Sequence, residues 1–196
     1  MTSRHRKTRP TPRLWLMTDE RVERSVLLSA AARLPKGQGG IILRHYRSDP
    51  AARRALFEAL VSIARRRRLV LLLAGSSRQA AAWRADGWHG RDARRRARPM
   101  LCSAPAHDAR EMRAAERAGA DIIFLSPLFP TRSHPGGRTL GRIGFARLAR
   151  ATGVVVMALG GVNEAHRRSL GGIGAAGWGA IDGLTARRSA RAMILS

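Results

Sequence analysis

Four consecutive residues, Thr131, Arg132, Ser133 and His134, place two hydroxyls, a guanidinium and an imidazole in one proline-punctuated loop between residues 126 and 141. Such donors at such spacing can surround a phosphate or a polar heterocycle. A loop of this length in a compact domain commonly serves as a lid. A second candidate is Gly160-Gly161, followed by Val162 and Asn163. Two glycines at a strand end let the backbone approach a ligand closely. A helix capped by Asn163 would add N–H groups and the positive end of its dipole. A third glycine-rich stretch, Gly177 to Gly183, carries Ile181 and Asp182 and offers the other half of a phosphate cradle. His134 is the histidine best placed for chemistry. His89 reads as packed at a strand end, His45 as a surface residue and Cys102 as core.

Positioning these loops takes a regular alternation of elements. Apolar runs at 14–18, 41–43, 69–73, 87–89, 99–102, 121–125, 154–158 and 179–181 read as strands. Between them, 3.6-residue periodicity and capping residues predict helices at 20–34, 49–66, 77–84, 108–118, 143–151 and 163–170. A minor helix is expected at 92–97, and a last one from about 185. The run at 69–73 is apolar throughout, which suits a sheet covered on both faces. Eight strand–helix units predict an α/β fold, a compact (β/α)₈ TIM barrel in one domain spanning 13–196. Residues 1–12 are basic, contain Pro10 and Pro12, and read as a flexible arm. The alternative, an open doubly wound sheet, is weakened because no G-x-G-x-x-G follows the first strand.

Composition bounds the function classes. The 196 residues hold 37 Lys and Arg against 13 Asp and Glu, a formal net charge of +24. Only Lys7 and Lys36 are lysine, so the excess is arginine. Such charge attracts polyanions, yet the arginines are dispersed along the sequence. Aromatic residues are 5% of the chain, too few for base-stacking platforms. The charge is therefore assigned to phosphorylated small-molecule ligands and to a solvated surface, and nucleic acid is not the expected partner. One cysteine excludes a disulfide framework. No apolar run reaches the ~18–20 residues of a membrane span, and no signal peptide is recognised, so a cytoplasmic protein is expected. Oligomeric state is left open.

The segments Ala118-Gly-Ala-Asp-Ile-Ile-Phe-Leu-Ser-Pro-Leu-Phe-Pro-Thr131 and Ala158-Leu-Gly-Gly-Val162 resemble those of the thiamine-phosphate synthase and TenI superfamily. Leu14 to Asp19, Leu43-Arg44 and Ala85-Asp86-Gly87-Trp88-His89 agree, so the resemblance covers about residues 14–185. It implies coupling of a pyrimidine methyl diphosphate to a thiazole phosphate, with release of pyrophosphate. It further implies that Arg44, Ser103 and His134 face the diphosphate and pyrimidine. Thr131, Ser133, Gly160, Gly161, Ile181 and Asp182 would then hold the thiazole phosphate. The family's magnesium carboxylate after the third strand corresponds to Gly75, preceded by Ala74 where an Asn is usual. Asp92 is the remaining metal candidate, so Mg²⁺ is expected to bind weakly; Gly75→Asp is expected to raise activity if only that ligand is lost and to do nothing if the pyrimidine pocket has also changed. Tyr46 and His134 stand in place of lysines, Asp182 in place of a serine, and Pro127 where TenI proteins have a histidine. Three readings follow: a synthase with a degenerate metal and diphosphate site, a TenI-like or non-catalytic binder of a phosphorylated thiamine precursor, and a basic nucleic-acid-associated protein.

Overall fold

The structure, a computed structural model, describes residues 10–91, 100–132 and 136–185. Eight parallel strands close on themselves in sequence order: β1 (Leu14–Met17), β2 (Gly39–Leu43), β3 (Val70–Ala74), β4 (Gly87–His89), β5 (Leu101–Ala106), β6 (Ile122–Leu125), β7 (Val155–Ala158) and β8 (Gly177–Ala180). The seam pairs Leu14 with Trp178. This is the expected (β/α)₈ barrel. Around it pack α1 (Arg24–Arg33), α2 (Pro50–Arg67), α3 (Ser77–Trp83), α4 (Ala109–Arg117), α5 (Gly141–Ala149), α6 (Arg167–Leu170) and α7 (Asp182–Thr185). The basic arm up to residue 9, the minor helix at 92–97 and any helix beyond 185 lie outside the described residues.

The period-2 alternation of a strand divides the apolar residues into two cores. Trp15, Met17, Ile42, Leu72, Ile122, Phe124 and Met157 point into the barrel. Their alternates, such as Leu16, Ile41, Leu71 and Ile123, pack against the helices. Inside, Trp15 meets Phe124 edge to face at 5.5 Å. Room for the indole comes from Gly40, where a Cβ would overlap the Trp15 ring. Strand β2 accordingly begins at Gly39, two residues before the apolar run at 41–43.

Strand β5 also runs further than expected, to Ala106 and through Pro105. Residues 102 and 106 use their carbonyls toward β6, accepting from Asp121 and Ser126. Residues 103 and 105 face β4, which ends at His89. Pro105, which has no N–H to donate, sits beyond the last residue of β5 paired with β4, Ser103 opposite His89.

Helix caps follow local chemistry. Asp49 accepts from Ala51 and Ala52 N–H, Pro50 starts α2, and Arg68 in the left-handed conformation ends it. Two loops between strands share one clamp. Leu71 N–H donates to the Asp86 carboxylate at 2.8 Å while Asp86 N–H donates to the Leu71 carbonyl at 3.0 Å. Cys102 and Asp121 repeat that pair of bonds at 2.7 and 2.8 Å. At the third equivalent junction, Ala176 N–H donates to the Val156 carbonyl, but alanine has no carboxylate to return.

Candidate functional site

A cleft of ≈ 1050 Å³ opens at the C-terminal ends of the strands. That is the end where a parallel barrel gathers its strand-to-helix loops. Met17, Arg44, His89, Pro105, Ser126, Leu159 and Ile181 form its floor. All continue the inward-facing alternation of their strands. The loops after β6, β7 and β8 form one wall, contributing Thr131, Arg132, Gly160, Gly161 and Asp182.

The wall is built largely from backbone. Leu128 N–H donates to the Leu159 carbonyl at 2.9 Å, and Phe129 N–H to the Gly160 carbonyl at 3.1 Å. The sixth loop is thereby laid along the seventh. Gly160 and Gly161 have φ of +85° and +66°, values that L-residues with side chains adopt at a cost. A Cβ on Gly160 would lie 2.8 Å from Pro127 Cα, and one on Gly161 2.8 Å from Phe129 Cβ. The double glycine thus makes room first for the neighbouring loop. The seventh loop continues not into the single helix expected from Asn163 but into a 3₁₀ turn, Glu164–His166, and the four-residue α6. Asn163 caps this turn reciprocally with His166. A helix dipole contributes little there.

Across the mouth, Arg132 reaches Asp182, Nε to Oδ2 at 3.3 Å. Asp182, expected to stand where the resemblance has a serine, therefore has a cation of its own. Both side chains are substantially exposed, so the pair contributes little stability.

The opposite wall rests on buried polar groups. Thr18 is fully buried and its Oγ accepts the Arg44 N–H at 2.9 Å. The same oxygen lies 2.9 Å from His45 Nδ1. While accepting from Arg44, the hydroxyl can donate its own proton to an unprotonated Nδ1. Burial pushes the His45 imidazole below its ordinary value, in agreement with that neutral form. His45 is thus interior, not the surface residue expected, because Thr18 gives its ring nitrogen a partner. His89 Nδ1 lies 3.0 Å from Ser103 Oγ, and the ring stands edge-on to Phe124 at 5.6 Å. Burial, reinforced by nearby Arg44, pushes His89 down to about 3. Ser103 is fully buried and does not line the cleft; it meets the site through His89.

Behind Arg44 lies Arg53, which the sequence reading did not single out. Its guanidinium donates to the carbonyls of Arg44 and Ala74 and to Gln79 Oε1 at 3.3 Å. It also sits 5.7 Å over the Trp83 ring. Its Nε is buried without a partner, and burial lowers its pKa. Arg53 ties together the ends of β2 and β3. One arginine among so many left no signal in the sequence that could have marked it.

The described residues do not fit a magnesium site. Gly75, at the position expected for a metal carboxylate, has φ of +138°, a backbone suited to glycine. Among the described residues no three His, Cys, Asp or Glu side chains converge. Of those lining the cleft, only Asp108 and Asp182 are carboxylates. Asp108 accepts from Glu111 N–H as a helix cap, and Asp182 pairs with Arg132. Asp92, Ser133 and His134 lie outside the described residues. The structure brings Arg44, Thr131, Gly160, Gly161, Ile181 and Asp182 to one cleft.

Comparison with known proteins is consistent across sequence and fold. A family model described as thiamine monophosphate synthase matches residues 14–184. The chain is 28% identical over 190 residues to a thiamine-phosphate synthase of Chloroflexus aurantiacus, covering 89% of this chain and 85% of that protein. It is 30% identical over 175 residues to one of Roseiflexus castenholzii, covering 84% and 77%. Among solved structures, a thiamine phosphate pyrophosphorylase from Pyrococcus furiosus superposes with a TM-score of 0.75 at 22% identity, covering 90% of this chain and 88% of that one.

Proposed function

The chain belongs to the thiamine monophosphate synthase family, and we propose that its cleft binds a thiazole phosphate and a pyrimidine methyl diphosphate but couples them with a weakened metal requirement and a slow rate. In that coupling the thiazole ring nitrogen forms a C–N bond to the pyrimidine methylene carbon. The C–O bond to the diphosphate breaks, and pyrophosphate leaves with the bonding pair. In family members Mg²⁺ offsets the charge that develops on the leaving diphosphate.

The observation that carries this reading is the backbone wall of loops six to eight facing Arg44 across one cleft. Gly160, Gly161 and the backbone at Ile181 and Asp182 hold the thiazole phosphate, and Thr131 adds a hydroxyl. Arg132 screens Asp182 from the bound phosphate. Arg44, steadied by Thr18 and Arg53, contacts the diphosphate and stabilises negative charge as the bond breaks. His89 is neutral at physiological pH; it supplies neither a cation nor a proton and instead shapes the floor. A second reading, a family member that binds the thiazole phosphate without turnover, is favoured by one observation: the glycine-only backbone at Gly75.

Incubating the purified protein with both precursors and Mg²⁺, and following thiamine phosphate by chromatography, separates the readings. Slow formation of product, with thiazole phosphate binding measurable by calorimetry, is the expected result. Binding without product selects the second reading. Absence of phosphate-ligand binding would overturn both.

A further inference from the structure

The arginines that are dispersed along the sequence are gathered by the fold. Helices of a parallel barrel run antiparallel to its strands, so every helix C-terminus lies at the end away from the cleft. The last turns and caps of these helices carry Arg33 on α1, Arg65, Arg66 and Arg68 on α2, Arg84 on α3 and Arg150 on α5. All six are exposed. Basic residues at helix C-termini are individually ordinary, because they complement the dipole. Their density here exceeds that need, with four consecutive arginines at the end of α2 alone.

The densest part is built by tertiary contact. Gly37 N–H donates to the Arg67 carbonyl at 2.9 Å, and Arg67 donates back to the Leu34 carbonyl at 2.6 Å. These bonds set the loop bearing Lys36, and Arg33 before it, beside Arg65 to Arg68. Six cations thus share one surface.

The two ends of the barrel treat their charge differently. Asp19, Glu20, Asp49, Asp108, Glu164 and Asp182 all lie in loops or first turns at the cleft end. There Arg21, Arg91, Arg132 and Arg167 are ion-paired. At the other end the carboxylates among the described residues are Asp86, Asp121 and Glu116, and the first two already accept backbone N–H groups. Among the described residues none of the six arginines named above forms an ion pair.

The geometry points to this face as a binding surface for the phosphate backbone of a nucleic acid, engaged without base readout. A field of guanidiniums without carboxylate partners suits repeated phosphates, each of which they can grip in two places. Base recognition would need aromatic platforms that the face lacks. A lipid surface fits less well, since peripheral attachment draws on apolar anchors as well as charge. The exposed large apolar side chains among the described residues, Tyr46 and Ile143, are both at the cleft end.

The test titrates the full chain into a short fluorescent duplex DNA of mixed sequence, and a single-stranded RNA of equal length, over a range of salt. Binding is expected to fall steeply with salt. Arg65→Gln, Arg66→Gln and Arg68→Gln together should weaken it at least about tenfold and flatten the salt slope by about 0.9 for each phosphate contact removed. Arg24→Gln, Arg110→Gln and Arg142→Gln, which remove as much charge from helix N-termini at the other end, should weaken it much less. Equal loss in both triples would mean that net charge alone attracts the probe, and would overturn the assignment. So would absence of binding at physiological salt, or tighter binding to phosphatidylserine vesicles than to either nucleic acid.

Discussion

The β7 and β8 end of the cleft is built from main chain, whereas the β2 and β3 end is built from side chains. The first region needs only that the backbone follow a particular path, and Gly160 and Gly161 secure it by letting the sixth loop lie close. Many substitutions elsewhere leave such a path intact. The second region depends on which groups stand at Gly75, Arg44 and Tyr46; the resemblance matches Arg44 to the family and marks Gly75 and Tyr46 as departures from it. Where a family carboxylate is expected, the β3 end has a glycine-only turn and, beneath it, the Arg53 guanidinium bonded to strand-end carbonyls. A site half made of backbone can keep a ligand while its side-chain half changes chemistry.

The sharpest way to break this contrast is at Gly161. Valine there would adopt φ of +66° and press on Phe129 and Pro130. The sixth loop must lift, and thiazole phosphate affinity measured by calorimetry should fall by about 100-fold or more, counting about 1–3 kcal/mol for the backbone alone and more for the overlap. Unchanged affinity would place the phosphate elsewhere.

The opposite end answers to Gly75→Asp. From sequence this substitution restores a metal ligand. It is opposed by the φ of +138° and by Gln79 Oε1, which lies 3.1 Å from where a Cβ would stand. Urea denaturation should show a loss of about 1–3 kcal/mol, shared by Gly75→Ala, with no gain in Mg²⁺-dependent turnover. A gain would show that the two ends differ only by one carboxylate.

Between the two regions, His89 makes stability depend on pH. Its folded value of about 3 lies below the ordinary 6.5, so below pH 6.5 the unfolded chain binds the extra proton. The contribution is complete above 6.5 and is lost as pH falls toward 3, at up to about 1.4 kcal/mol per pH unit. Denaturation midpoints across pH 4–7 check this, and His89→Phe should flatten the curve. The smallest effect belongs to Asp182→Ser. Removing an exposed carboxylate beside the phosphate should tighten thiazole phosphate binding several-fold, within the ~1 kcal/mol reach of an exposed charge. Weaker binding would mean that Arg132 needs Asp182 to reach the ligand.

Much of the barrel was legible because alternation and apolar runs carry it. The eight strands appear where expected, with β5 cut short since a proline reads as a stop until the shortness of β4 is known. The cleft's backbone wall was also legible, through Gly160-Gly161, although their close contact with Pro127 and Phe129 was not. Loop-on-loop packing leaves no local periodicity. The buried state of His45 and the strut at Arg53 were invisible for a related reason. Each depends on partners, Thr18 and Ala74, that are distant in sequence and adjacent only once the barrel closes.

The paired bonds of Asp86 with Leu71 and of Asp121 with Cys102 bear on how the chain reaches its fold. They span only 15 and 19 residues, so the loops they close cost little entropy. The βαβ units β3–α3–β4 and β5–α4–β6 can each gain their bonds before distant segments meet. The seam between β1 and β8 has no such economy, because it joins opposite ends of the chain, and contacts of that kind form late. Ala176, lacking the carboxylate, leaves the β7–β8 unit without this early latch. The expected order of assembly runs from the middle of the sequence outward, with the wall of loops six to eight among the last parts of the molecule to take shape.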